Sequence, residues 1–249
     1  VKIFIQEQNS YPGITNKILS KFARKIFVAY DNLNTFFNPN KIILTGNPVR
    51  KDITAQLSSK NEALTFFDLK ENMKTILVIG GSLGARTINE SIEKNIEIFS
   101  QNNIQVLWQT GKFYYDGIID RTKSKDLSDI KIHQFIKEMN LAYAAADIII
   151  SRAGALSISE LCIVGKPTVL IPSPNVSEDH QTKNAMALVN KNAAVLVKDI
   201  DAKEKLAAVL LSVLNDEKRL DELAGNIKTL AKTNAANDIV TAIIQQLKY

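Results

Sequence analysis

The stretch Thr75-Ile76-Leu77-Val78-Ile79-Gly80-Gly81-Ser82-Leu83-Gly84-Ala85-Arg86 runs from a β-branched segment into a glycine turn, and a helical pattern follows over residues 87–99. A run that is apolar without in–out alternation fits a strand covered on both faces. The glycines let the backbone approach a ligand closely, and the helix start offers unpaired N–H groups to a phosphate. The spacing is neither G-x-x-x-x-G-K-[ST] nor G-x-G-x-x-G, so it reads as neither an NTPase loop nor a dinucleotide fingerprint. A plain strand–helix turn is the alternative; its place at the end of a sheet strand favours phosphate contact.

Working outward, similar strand-like runs recur at 104–108, 130–133, 147–150, 168–171 and 194–197, with helical patterns such as 155–164 and 181–191 between most of them. Strand and helix alternating at this spacing predict an α/β fold with a parallel, doubly wound sheet. The first fifty residues read differently. Strands at 2–5, 25–29 and 42–44 with one helix at 14–23 are too few for an independent domain. They read as the C-terminal part of a second α/β domain, joined to the first through Gly46-Asn47-Pro48-Val49-Arg50, which is punctuated like a hinge. The division expected is 1–49, 50–232 and a final piece, 233–249, whose helix at 237–248 crosses back to the first domain. The opening Val1-Lys2-Ile3-Phe4-Ile5 reads as a strand without an initiator Met, which suggests a sequence that starts inside a longer protein.

Composition narrows the function classes. The 249 residues are 45% hydrophobic and 23% charged, an ordinary globular balance, and no run approaches the length of a membrane-spanning helix. The single cysteine, Cys162, rules out an internal disulfide and sits in an apolar segment, as a buried small hydrophobe would. The net charge of +5 comes from scattered lysines with no nucleic-acid motif, and suits an anionic ligand or an anionic membrane surface.

Two further segments can carry binding. Ser151-Arg152-Ala153-Gly154-Ala155-Leu156-Ser157-Ile158-Ser159-Glu160 repeats the strand, glycine turn and helix. Its amides would face the ligand crevice, with Glu160 where a carboxylate accepts both hydroxyls of a ribose; alone, it reads equally as a solvated helix glutamate. In Pro172 to Asn184, His180 and Gln181 are able to reach sugar hydroxyls, and Asp179 is the expected helix cap. No nucleophile–histidine motif is present. Asp199-Ile200-Asp201 has the D-x-D form of some metal-holding transferases, but Asp201 with Glu204 reads better as a capping box, so no metal is expected.

Taken in order, Glu7-Gln8-Asn9, Gly46 to Arg50, Gly80 to Arg86, Gln109-Thr110-Gly111, Phe135-Ile136, Arg152 to Glu160 and Asp179-His180-Gln181 resemble the MurG family across nearly the whole chain. That resemblance implies a GT-B glycosyltransferase fold. One complete Rossmann-like parallel-sheet domain would bind the donor UDP-N-acetylglucosamine, and the first fifty residues would be the C-terminal part of the acceptor-side domain. It implies transfer of N-acetylglucosamine, with inversion, to the muramyl 4-hydroxyl of lipid I, an undecaprenyl-linked acceptor. No cofactor, metal or nucleic acid is implied, and the location would be peripheral, on the cytoplasmic face of the bacterial membrane. By position, Ile136 would meet the uracil and Glu160 the ribose. The segment Gly154, Ala155, Leu156, Ser157, Ile158 and Ser159 would line the donor site, its first three residues against the diphosphate, which Ser82 and Arg50 would also reach. Gln181 and His180 would touch the N-acetylglucosamine, with Asn9 approaching from the first domain.

Three features depart from the family pattern. The Gly-rich loop ending in histidine, where the general base is expected, would precede Val1; Leu83 stands where glutamine is usual; and Gln6 stands where histidine is frequent. His133 and His180 both fall on the donor side, so the base is unassigned. Other readings remain: a donor-binding subunit of a split transferase, inactive alone, or a GT-B enzyme with another acceptor. The helical segment Thr15 to Lys25 sets Lys17, Lys21, Arg24 and Lys25 beside Ile18, Leu19 and Phe22. It is either a surface helix packed on the sheet or a contact with anionic lipid.

Overall fold

The computed structural model describes residues 1–54 and 57–247; Lys248, expected in the last helix, and Tyr249 lie outside the described residues. A small parallel sheet is built from β1 (Phe4–Glu7), β2 (Lys25–Val28) and β3 (Ile42–Leu44), in that order. Helix α1 (Ile14–Leu19) joins its first two strands, and α2 (Lys51–Thr54) and α3 (Lys60–Phe66) lead away from it. The larger sheet then follows. Its strands are β4 (Lys74–Ile79), β5 (Ile104–Gln109), β6 (Ile130–His133), β7 (Ile148–Ser151), β8 (Thr168–Leu170) and β9 (Val195–Leu196). They pair parallel throughout in the order β6-β5-β4-β7-β8-β9.

Helices alternate with these strands: α4 (Arg86–Lys94), α5 (Ile96–Gln101), α6 (Tyr115–Thr122), α7 (Met139–Ala145), α8 (Ala155–Val164) and α9 (His180–Val189). After β9 come α10 (Ala202–Leu214), α11 (Glu217–Thr229) and α12 (Ala235–Leu247). Both sheet faces are covered. Leu77, Leu107, Ile149 and Leu170 pack with α3, α7, α8 and α9, whereas Ile76, Val78, Trp108 and Ile150 pack with α4, α5 and α10. That double cover is why these strands show no alternation in the sequence; β5 is buried at every position.

Some boundaries move from the sequence expectation. The helix expected over 87–99 breaks at Asn95, whose side-chain amide donates to the Ser91 carbonyl at 2.7 Å instead of leaving the backbone undisturbed. The first strand lies two residues later than the apolar pattern suggested, because Glu7 points inward. Its carboxylate accepts from the Asn9 and Gly13 amides (2.9 and 3.2 Å) and from Asn16 Nδ2 (2.8 Å). A buried carboxylate is tolerable only when hydrogen-bonded in this way, and the result is a shaped loop over residues 8–13.

Helix α1 has no buried residue: Ile14, Ile18 and Phe22 just beyond it are 64%, 56% and 68% exposed, so its apolar side does not pack on the sheet. Helix α12 returns to this region, where Lys2 Nζ donates to the Gln246 carbonyl (2.8 Å) and Arg24 Nε to Gln246 Oε1 (2.6 Å). The segment between the sheets is pinned by Asn47, which is buried and donates to Gln8 O (3.0 Å) and Ser159 Oγ (3.1 Å). Among the described residues, no helix is long and apolar enough to cross a membrane.

Candidate functional site

Strands β4 and β7 are neighbours whose chain continuations run to opposite sides of the sheet, so the crevice above their carboxyl ends is the topological switch point. Both glycine turns open there. The turn after β4 is locked by the one after β5: Gly84 has φ +89, and a Cβ on it would stand 2.2 Å from the Thr110 carbonyl oxygen. Gly111 has φ +84, and a Cβ there would meet the Gly84 nitrogen at 2.1 Å. Only two glycines allow the turns to touch, which accounts for the Gln109-Thr110-Gly111 segment beside the Gly80 turn. Asn89 holds them from below, donating to Thr110 O at 2.8 Å and accepting from Trp108 Nε1 at 2.9 Å.

Gln109 connects the pieces above. Its Nε2 donates to Gly81 O at 3.3 Å and its Oε1 accepts from the Ile136 amide at 2.9 Å. The Ile136 side chain is buried and its N–H is engaged. On α8, Glu160 accepts from Arg50 Nε at 3.3 Å through Oε1 and from the Tyr143 hydroxyl at 3.1 Å through Oε2. An ionised carboxylate has about four acceptor positions, so two remain for further hydroxyls. Burial, reinforced by the nearby Glu160 charge, holds the Tyr143 phenol far above its ordinary pKa and therefore protonated, as a donor. Arg50, expected at a diphosphate, is thus tied to the Glu160 carboxylate in this structure.

Helix α8 starts at Gly154 in extended conformation with no side-chain cap, so the amides of its first turn are open to an anion. Ala155, Ser157, Ile158 and Ser159 build that first turn and its packing. Ile158 is buried in the core, and Ser159 is tied to Asn47, whereas Leu156 is 47% exposed. Ser82 and Leu83 are exposed in the other turn. Gln181 Oε1 accepts from the Ala153 and Ser173 amides (3.2 and 2.9 Å), which fixes the side chain and leaves its NH2 end as a donor. Asn9 meets the donor side directly: Asn184 Nδ2 donates to Asn9 Oδ1 at 3.0 Å, and Asn184 Oδ1 accepts from the Ser10 amide at 2.8 Å.

A polar cavity of about 720 Å³ opens at the same edge of the sheet, on the α4 side, lined in part by Gly80, Gly84, Arg86, Arg152, Ser173 and Gln181. Of the residues expected at the site, Gln181 alone lines it. Ile136 and Ile158 pack into the core on the opposite face of the sheet, where α8 also carries Glu160. The expected set is therefore spread across the sheet edge rather than gathered in one cleft.

Several roles escaped the sequence. Tyr143 and Asn184 carry no motif, and only their contacts reveal them. Arg152 is a loop clamp: its Nη1 donates to Ile171 O (3.0 Å), Pro172 O (3.2 Å) and Asp199 Oδ1 (2.5 Å). Asp199 is completed by the Thr87 hydroxyl at 2.8 Å. The capping box expected from Asp201 and Glu204 does not form; Asp201 pairs with Lys205 at 3.3 Å and Glu204 with Lys94 at 2.6 Å. Asp179 does occupy the N-cap of α9 but makes no side-chain cap bond, because its φ of +53 turns the carboxylate away. Cys162 is buried, and burial pushes its thiol up to about 12, which suits packing and not nucleophilic attack.

Comparison with known proteins identifies the family. Residues 75–240 fit the glycosyltransferase family 28 C-terminal domain. Relatives from Parabacteroides distasonis and Flavobacterium psychrophilum are 53% and 54% identical over 98% and 97% of this chain. Both are named UDP-N-acetylglucosamine--N-acetylmuramyl-(pentapeptide) pyrophosphoryl-undecaprenol N-acetylglucosamine transferases. The chain spans 67% and 65% of their lengths, about two thirds. The crystal structure of Acinetobacter baumannii MurG superposes with a TM-score of 0.76 at 26% identity, over 98% of this chain and 67% of that one. A putative UDP-N-acetylglucosamine 2-epimerase from Listeria monocytogenes shares the fold at 15% identity, with a TM-score of 0.68 over 96% of this chain and 64% of that one. With its larger domain matched along its length and half its residues shared with these relatives, the chain belongs to the MurG family of GT-B glycosyltransferases.

Proposed function

We propose that the chain binds UDP-N-acetylglucosamine at the switch point of the larger sheet, and that the enzyme it represents transfers the sugar to the muramyl 4-hydroxyl of lipid I. The observation that carries the reading is Glu160, held by Tyr143 and Arg50 beside the open amides of α8. In this reading Glu160 accepts the ribose hydroxyls and the Ile136 carbonyl meets the uracil. The α8 amides at Gly154 to Leu156, with Ser82, take the diphosphate, and Arg50 swings from Glu160 towards it. Gln181 and His180, with Asn9 opposite, reach the N-acetylglucosamine.

Transfer is an inverting displacement. The acceptor oxygen forms a bond to the anomeric carbon, the bond from that carbon to the diphosphate breaks, and UDP leaves with the electron pair. Preorganised amides and a guanidinium stabilise that leaving charge. The hydroxyl proton passes to a general base, which is not assigned among these residues. The exposed Ile14, Ile18 and Phe22, beside Lys17, Lys21 and Lys25, support a peripheral position on an anionic membrane face, where a lipid-linked acceptor is found.

The test is calorimetric titration with UDP-N-acetylglucosamine, with UDP-glucose and GDP-mannose as controls. Selective binding that Glu160→Ala abolishes is the expected result. Equal affinity for all three nucleotide sugars, or binding unaffected by Glu160→Ala, overturns it.

A further inference from the structure

Tyr11 stands where the two halves of the molecule meet. The ring lies 3.4 Å from Lys183 Nζ, on α9, and 4.0 Å from Lys17 Nζ, on α1, measured to its centroid. Phe36 supports it edge-on at 5.0 Å, and His180 lies beside it with ring centroids 6.3 Å apart. An aromatic ring attracts each ammonium group, yet it neutralises neither. Both lysines are partly buried, and neither has a carboxylate partner among the described residues. Two cations gathered on one neutral ring repel each other until an anion joins them.

A second observation falls at the same place. Among the described residues, four buried side-chain polar atoms lack a hydrogen-bond partner, and two of these are Ser10 Oγ and His180 Nδ1. Ser10 precedes Tyr11 and its amide is bound to Asn184, the neighbour of Lys183; His180 is the residue against the Tyr11 ring. Buried polar atoms are nearly always satisfied, so two orphans on residues that flank the ring gathering these two cations mark a place for a ligand with several acceptor oxygens. Simple packing between the two halves accounts for the Tyr11 contacts but not for the orphans.

We propose that Lys17 and Lys183, gathered on Tyr11, form a second anion site that takes the diphosphate of the lipid-linked acceptor, apart from the site of the donor diphosphate. The assignment of the anion to the acceptor rests on the proposed function; the anion site itself does not. Position selects the occupant. Lys17 belongs to α1, whose Ile14 and Ile18 are exposed, while Lys183 lies two residues after Gln181 at the donor-sugar end. A prenyl chain on the α1 side and a sugar directed to Gln181 put the joining phosphates at the two lysines. Ser10 Oγ and His180 Nδ1 then complete the shell.

The chain is titrated with geranylgeranyl diphosphate, inorganic pyrophosphate and geranylgeraniol, each with the donor site filled by saturating UDP. Both diphosphates should bind, the lipid form more tightly, and the alcohol should not. Lys17→Gln with Lys183→Gln should weaken both by at least tenfold and leave the UDP affinity and the melting temperature unchanged; Tyr11→Leu should weaken them less. Affinities equal in the double variant and the parent overturn the proposal, as does pyrophosphate displaced by UDP. Geranylgeraniol binding as tightly as its diphosphate also overturns it, since the chain alone would then be recognised. A chain that binds no UDP defeats the donor reading, and the same variants titrated with pyrophosphate alone still decide the lysine site.

Discussion

The Tyr143 hydroxyl donates to Glu160 Oε2 at 3.1 Å, joining a buried residue of α7 to the one carboxylate of α8. The bond fixes the carboxylate before any ligand arrives, and the high phenol pKa keeps the donor in place throughout the neutral range. Tyr143→Phe keeps the ring and removes the bond. The affinity for UDP-N-acetylglucosamine should fall roughly fivefold, the equivalent of about 1 kcal/mol for one hydrogen bond. Calorimetry on the variant measures it, and an unchanged affinity would mean that Arg50 alone orients Glu160.

The glycine turns allow a paired test. Gly81 and Gly84 both have positive φ (+87 and +89), but a Cβ on Gly81 meets nothing within 4 Å, whereas one on Gly84 meets the Thr110 carbonyl at 2.2 Å. Gly81→Ala should cost only backbone strain, about 1 kcal/mol, and Gly84→Ala distinctly more, roughly 3 kcal/mol, because the β5 turn must move as well. Urea denaturation of the two variants compares them directly. Equal losses would show that the turns are not in the close contact described.

These two relationships also mark how far the sequence was legible. The apolar strand runs and the glycine after β4 were enough for a parallel α/β sheet, because burial on both faces leaves an unbroken pattern. The order of motifs was enough for the family. Tyr143 and Asn184 were hidden because their partners lie beyond any local helical spacing: Tyr143 on α7 meets Glu160 on α8 across 17 positions, and Asn184 meets Asn9 across 175. The break at Asn95 and the missing box at Asp201 share a cause. Each polar side chain takes a partner four residues away, Ser91 for Asn95 and Lys205 for Asp201, and sequence spacing alone does not select it.

His133, at the end of β6, packs against the edge of Phe67 at 5.7 Å. Burial, assisted by Lys131, lowers its pKa below the ordinary 6.5. The unfolded chain therefore takes up this proton at a higher pH than the folded chain does. Stability attributable to His133 is complete above about pH 6.5 and is lost as the pH falls towards the lowered folded value. His133→Asn should flatten that part of the melting-temperature profile between about pH 7.5 and 5. A parent and variant with parallel profiles would show that the ring is freely hydrated.

The exposed side of α1 separates a membrane contact from an ordinary surface helix. Packed on the sheet, Ile18 would be buried; it is 56% exposed, and Phe22 is 68% exposed. Aspartate at either position removes no internal contact of the core, so folding should be retained. On an anionic bilayer the same change removes an apolar anchor and adds repulsion from the headgroups. The parent should pellet with phosphatidylglycerol liposomes and release as salt rises. Ile18→Asp with Phe22→Asp should reduce pelleting by about tenfold or more, in line with roughly 1.5–3 kcal/mol for burying one large apolar side chain. Melting curves of the two proteins should coincide, which ties the loss to the surface rather than to unfolding. Equal pelleting of parent and double variant would leave α1 as a solvent-facing helix and remove the support for a membrane position.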